Sequence, residues 1–178
     1  MIGSFARNCG KTTLACEIIK RFSKITPIIG IKVSTKKAAD FRYKGEDRCH
    51  PEKGFEIVEE HNPNGNKDTS RMLAAGASRV YRLEVSQNNL RQAAEALLKI
   101  IGRSAVCVCE SNSLRRIIEP GLFLMLRRKK SRYYKPSADA VKKLADKIIL
   151  FDGKNFNFNL NNINLLARKW SLTKFLKT

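Results

Sequence analysis

Gly10, Lys11, Thr12 and Thr13 are the residues whose types and order most directly specify chemistry. A Gly-Lys-Thr run entering a helix suits phosphate. Backbone N–H groups of the tight loop converge on the anion, the Lys reaches the terminal phosphates, and the hydroxyl ligates Mg²⁺. In the pattern G-x-x-x-x-G-K-[ST], Lys11 and Thr12 take those two roles. The N–H groups from Asn8, Cys9 and Gly10 through Lys11, Thr12 and Thr13 form the cradle. Phe5 stands at the first Gly place, and the nearest Gly is Gly3. The alternative is an ordinary Gly turn before a core helix.

The elements that must position these residues are legible on one side of the loop and thin on the other. Leu14, Ile18, Ile19 and Phe22 recur at helical spacing, predicting a helix from about Thr12 to Phe22 whose N-terminus faces the anion. Only Met1 and Ile2 precede Gly3, so the strand expected before the loop is a stub or begins upstream of Met1. Residues 27–33 read as a buried strand, with Lys32 at its carboxyl end, where ligands of open α/β sheets gather. Lys32 is either a second cation facing phosphate or substrate, or a strand Lys reaching for water. Residues 34–54 read as a long polar loop, in which Cys49 and His50 make a weak metal pair.

Phe55–Glu60 reads as an edge strand and 68–77 as a short helix, with Asp68 as N-cap and Gly76 as its stop. Arg71 on that helix is a solvated charge or an anion contact. Val80–Val85 alternates as a strand, and Leu90 to Ile101 marks an amphipathic helix ended by Gly102. Ala105–Ser111 is an apolar strand finishing in Glu110, the residue expected to orient Mg²⁺ or its water and, with Lys11, to carry any catalysis. Cys107 and Cys109 share one strand face and read as core residues. Leu122–Leu126 is a further strand, with Arg127–Lys130 and Arg132 at its carboxyl end. Ser137 is expected to cap a helix through Val141, Leu144 and Ala145, followed by a strand at 148–151. Phe156, Phe158 and Leu160 suggest an edge strand or turn, and Ile163, Leu166, Ala167 and Trp170 a final helix.

The βα alternation predicts a three-layer α/β fold of the P-loop type, with a mostly parallel sheet and helices on both faces. A nucleotide-binding domain over 1–152 is expected to be followed by a basic, Asn-rich extension over 153–178, packed on it or trailing from it. The 178 residues carry 35 Lys and Arg against 16 Asp and Glu, a net charge of +19. Residues 127–178 hold 14 of those cations against 3 acids, so the excess is concentrated toward the end of the chain. Such a surface attracts phosphate-rich partners, nucleic acid included, unless it is merely solvated. The chain has no run of 18 apolar residues and no apolar leader at its start, so neither a membrane span nor a secretory signal is expected. Five cysteines without paired metal-ligand spacing, together with a nucleotide loop, point to a reducing cytoplasm.

The loop ending Gly10-Lys11-Thr12-Thr13, the Gly30-Ile31-Lys32 strand, the Asp68-Thr69-Ser70-Arg71…Ala75-Gly76-Ala77 segment and the strand-end Glu110 occur in one order. That order resembles the molybdopterin-guanine dinucleotide biosynthesis protein B family, P-loop proteins related to dethiobiotin synthetase, over roughly residues 1–152. The resemblance implies GTP or ATP with Mg²⁺, an accessory role in attaching a nucleotide to the molybdenum cofactor, an anionic small-molecule substrate and a homodimer. Ala6 stands where the synthetase-like loop has an acid, which counts against an ATP-dependent ligase. The other alternative is a basic nucleic-acid or polyanion-binding module with a decayed loop.

Overall fold

The computed structural model describes residues 1–36, 54–129 and 134–173. Cys49 and His50, Lys130 and Arg132 lie outside the described residues. Among those described, seven strands form one sheet in the order β3-β4-β2-β5-β1-β6-β7. The strands are β1 (Ile2–Ser4), β2 (Ile29–Lys36), β3 (Phe55–Glu59), β4 (Arg79–Ser86), β5 (Cys107–Glu110), β6 (Leu124–Arg128) and β7 (Lys147–Phe151). All neighbours pair in parallel except β3, which runs antiparallel to β4 at the edge.

Helices cover both faces. On one lie α1 (Lys11–Phe22) and α2 (Asp68–Ala74), where Leu14, Ile18, Ile19, Phe22 and Met72 pack on Val80, Val108, Leu124 and Leu126. On the other lies α3 (Leu90–Ile101), whose Leu90, Ala93, Ala94 and Leu97 meet Ile31, Val33, Leu83 and Val85. The three-layer α/β fold expected from the alternation of elements is the one observed.

The three-residue β1 is a short strand in the middle of the sheet, flanked by β5 and β6. Parallel neighbours on both sides pair with it and bury it. Gly3 is required there: a Cβ would lie 2.4 Å from Met125 Sδ and 2.8 Å from Asn112 Oδ1. Where β5 ends, the Asn112 side chain continues the pairing. Its Oδ1 accepts from Ser4 N at 2.8 Å and its Nδ2 donates to Ser4 O at 2.9 Å.

Several expectations are corrected. The strand placed at 27–33 is β2 and runs to Lys36, so residues 34–36 are sheet rather than loop. The strand placed at Leu122 starts at Leu124. Asp68 does not cap α2; Lys67 is the extended cap residue, and Asp68 is the first helical position. Ser137 does not cap a helix reaching Ala145. The helix α4 (Pro136–Asp139) starts on Pro136 and stops, and a separate 3₁₀ turn covers Lys142–Leu144. The two short turns drop Ala138 and Val141 into a cluster with Phe5, Phe123 and Met125.

The final helix is also absent: Ile163–Leu166 (β8) and Lys169–Leu172 (β9) form an antiparallel hairpin. Ala167 and Arg168, with φ of 47° and 64°, make the two-residue turn, whose left-handed backbone matches strand twist. Strand pairing sets Ile163 against Leu172 and Leu165 against Trp170, all packed on the core, and leaves Leu166 71% exposed. The extension thus docks rather than trails over its described part. Trp170 stacks edge-on to Phe22 at 4.9 Å and donates its indole N–H to Cys107 O at 3.1 Å.

Candidate functional site

The carboxyl ends of β1, β2 and β5 open into a cleft of about 1280 Å³, floored by the loop from Arg7 to Thr13. Open parallel sheets collect ligands at this edge because strand ends and helix starts converge there. The loop turns on Asn8 (φ 53°) and Gly10 (φ 81°), two residue types that adopt the left-handed backbone at low cost. Phe5 and Ala6 are buried outside the cleft, Phe5 in the cluster with Phe123 and edge-on to Tyr134 at 5.3 Å. Phe5 at the first Gly place therefore anchors the loop base rather than blocking its mouth.

Gly10 rests on an aromatic pair. Phe151 and Phe156 stack at 4.8 Å, and a Cβ on Gly10 would lie 3.1 Å from each ring. Beyond Gly10, α1 begins with no side-chain cap and no acid in its first turn. Its first N–H groups have no preceding turn to accept them, so they and the positive end of the helix dipole face the cleft.

The Lys11 ammonium donates to Ser4 Oγ at 3.0 Å, and Ser4 Oγ donates onward to Ala6 O at 2.7 Å. Lys11 has no carboxylate within ion-pair distance among the described residues. Burial lowers its pKa, and the more distant Glu110 only partly offsets that. Lys32 lies in the cleft held by two carboxylates, Asp68 Oδ2 at 2.6 Å and Glu110 Oε2 at 2.7 Å. Burial pulls the Lys32 pKa down, but Glu110 and Asp68 outweigh it and the net shift is upward. The Thr12 hydroxyl also lies near Asp68. Burial raises the Asp68 pKa, yet Lys32, Thr12 and Arg71 together bring it below the ordinary value. Glu110 is 1% exposed, and its second oxygen, Oε1, has no hydrogen-bond partner among the described residues.

The structure therefore brings Asn8, Cys9, Gly10, Lys11, Thr12, Thr13, Lys32, Arg71 and Glu110 to one cleft. Arg71 sits at its rim, 3.5 Å from Thr13 Oγ1 and 3.8 Å from Asp68. Cys9 is buried beneath the loop and contributes backbone rather than its thiol. Three residues of the site had no such reading in the sequence. Asp68 resembled a cap, because its partner Lys32 is 36 residues away. Asn112 follows β5 directly in the chain, but its strand-like clamp on Ser4 depends on tertiary register. Lys135, in the cleft beside Lys11, follows a stretch without hydrophobic period.

Among the described residues, no group of three or more His, Cys, Asp and Glu side chains converges as a metal site, and no helix is long and apolar enough to cross a membrane. No protein-family model, curated protein or solved structure matches the chain.

Proposed function

We propose that the protein binds a nucleoside triphosphate, GTP or ATP, with its phosphates on the loop from Asn8 to Thr13. One observation carries this reading. The Lys11 ammonium and the uncapped start of α1 face the same cleft, and among the described residues neither has a carboxylate paired to it. A polyphosphate satisfies both at once. Lys11 holds the β- and γ-phosphates, the N–H groups of the loop hold the remaining oxygens, and Arg71 stands over the Thr13 side.

The donor set also fits Mg²⁺. A magnesium ion bound with phosphates takes one or two protein ligands and fills its other positions with phosphate oxygens and water. The Thr12 hydroxyl and the Asp68 carboxylate, close enough for Thr12 to help lower the Asp68 pKa, are such a pair. The orphaned Oε1 of Glu110 is an acceptor suited to a water in the same cluster. The ion would supply charge neutralisation at the phosphates. Turnover by this chain alone is slow in this reading, since Lys32, the cation nearest Glu110, is held by two carboxylates. An accessory role in attaching a nucleotide to the molybdenum cofactor is the physiological setting we propose, on the resemblance of the loop, Asp68–Ala77 and Glu110 segments.

Titration with fluorescent GTP and ATP analogues, with and without Mg²⁺, tests the reading. Binding is expected to strengthen with Mg²⁺ and to weaken about a hundredfold in Lys11→Ala, the scale of a lost charge-assisted contact of about 3 kcal/mol. Absence of binding, or equal binding by the variant, sinks it.

A further inference from the structure

The cleft does not end at the phosphate loop. α1 and α2 pack on one face of the sheet; beyond the tips of β1 and β5 the cleft continues toward the other face. Its lining there is Ser111, Asn112, Ser113, Lys135 and Ser137. We propose that this part of the cleft is a second subsite, holding the phosphate or carboxylate group of a small molecule bound beside the nucleotide. The proposal rests on the nucleotide reading above and names the class of its second ligand.

The lining offers donors almost exclusively. Ser137 Oγ accepts from Asn112 Nδ2 at 3.3 Å, which leaves its own proton to give. Ser111 Oγ accepts from Leu114 N at 3.0 Å and lies 3.2 Å from Ser113 Oγ. Whichever of those two hydroxyls donates to the other, one proton of the pair remains free. Asn112 is committed to Ser4 and Ser137 and acts as a strut. Ser137 and one of the Ser111–Ser113 pair can therefore each point a proton at one compact acceptor.

Lys135 supplies the charge. Its backbone N–H donates to Phe5 O at 2.8 Å, fixing it to the base of the phosphate loop. No carboxylate lies within ion-pair distance of its ammonium among the described residues. Glu110 gives one oxygen to Lys32 and buries the other. Asp139, the acid on α4, is paired to Lys142 at 2.7 Å. Burial, and then the Lys11 charge beside it, bring the Lys135 pKa down to about 8. An oxyanion at this position supplies the missing compensation. A sugar hydroxyl or a second cation does not. A single ammonium in a cleft also lined by hydroxyls recognises a compact point of charge, whereas an extended anion calls for the fork of an Arg.

The full chain, saturated with a β,γ-imido nucleotide and Mg²⁺ so that the loop is filled, is titrated calorimetrically with inorganic phosphate and separately with succinate. One of the two is expected to bind, the arm that responds identifying which oxyanion is preferred. Lys135→Gln is expected to weaken that binding about tenfold or more, the scale of one charge-assisted hydrogen bond, with affinity for the imido nucleotide within about threefold of wild type. Ser137→Ala, which keeps the ammonium, is expected to weaken it about threefold, as loss of one neutral hydrogen bond does. Wild-type protein that binds the imido nucleotide but neither anion, or a Lys135→Gln variant that binds the anion equally well, overturns the subsite alone. Failure of wild type to bind the imido nucleotide overturns the nucleotide reading and this inference with it.

Discussion

The Lys32 ammonium lies 2.7 Å from Glu110 Oε2, and the two residues are direct partners in the β2–β5 ladder. The contact ties together two parallel strands whose carboxyl ends both open into the cleft. Glu110 is almost wholly buried, and Lys32 is the cation paired with it there. A ligand that draws Lys32 toward phosphate must offer Glu110 something in return, and its free Oε1 is where a water would be received.

Removing one partner of this pair leaves a buried, uncompensated charge. Lys32→Met is expected to lower stability by about 3–5 kcal/mol in urea unfolding. Combining it with Glu110→Gln should recover most of that loss. A single variant within about 1 kcal/mol of wild type, the range of a surface pair, would show that the contact is not the support described here.

Gly10 combines a left-handed backbone with two rings 3.1 Å from the place a Cβ would take. Gly10→Ala pays about 1–2 kcal/mol for the backbone alone and must also displace Phe151 or Phe156. The expected outcome is a stability loss of about 2 kcal/mol with nucleotide affinity down at least tenfold, read by denaturation and fluorescence titration. Unchanged affinity would mean the loop tolerates a different path.

Trp170 fastens the β8–β9 hairpin to α1 and β5. Being partly exposed, it should contribute less than a fully buried ring, and Trp170→Ala is expected to cost about 2–3 kcal/mol. Limited proteolysis should then cut first within residues 153–173, while the resistant remainder keeps its β-sheet signal. Wild-type cleavage behaviour would contradict a structural role for the hairpin.

Stability should rise as pH goes from 8 to 9. Lys135 titrates at about 8 when folded against 10.5 as its ordinary value, so in that interval the unfolded chain holds a proton the folded chain has released. Lys11, also lowered by burial, acts in the same direction. Above pH 9 the sign reverses for Cys107 and Cys109, pushed up by burial to about 11 and about 12: the unfolded thiols ionise while the folded ones keep their protons. Thermal unfolding across pH 7.5–10 should therefore show a maximum, and Lys135→Gln should flatten its rising limb. Lys135 is only half-buried, so solvent screening keeps the effect small. A monotonic fall from pH 8 would contradict the assignment.

Local patterns were the readable part of this chain. The stripe Leu14, Ile18, Ile19, Phe22 gave α1 to within one residue, and the stripe from Leu90 to Ile101 gave α3, because a helix buries one face at a period of 3.6. Gly76, at φ 101°, stops α2 as its position suggested. The same pattern misled at Ile163, Leu166, Ala167 and Trp170, where a spacing of three and four also accommodates a hairpin once the turn falls at 167–168. Nothing within that window announces a turn, since neither Ala nor Arg favours the left-handed backbone. The contact of Trp170 with Phe22, far away in the chain, decides it.

By itself the sequence determined the loop, the helix behind it, the alternation of strands and helices, and the acid at the end of β5, because each depends on residues close together along the chain. The tertiary structure alone decided that β1 lies between β5 and β6 in the middle of the sheet, that Asp68 faces Lys32 instead of capping α2, and that Lys135 enters the cleft beside Lys11. These are outcomes of parallel strand order, which joins residues 36 to 124 positions apart, and no local preference encodes them.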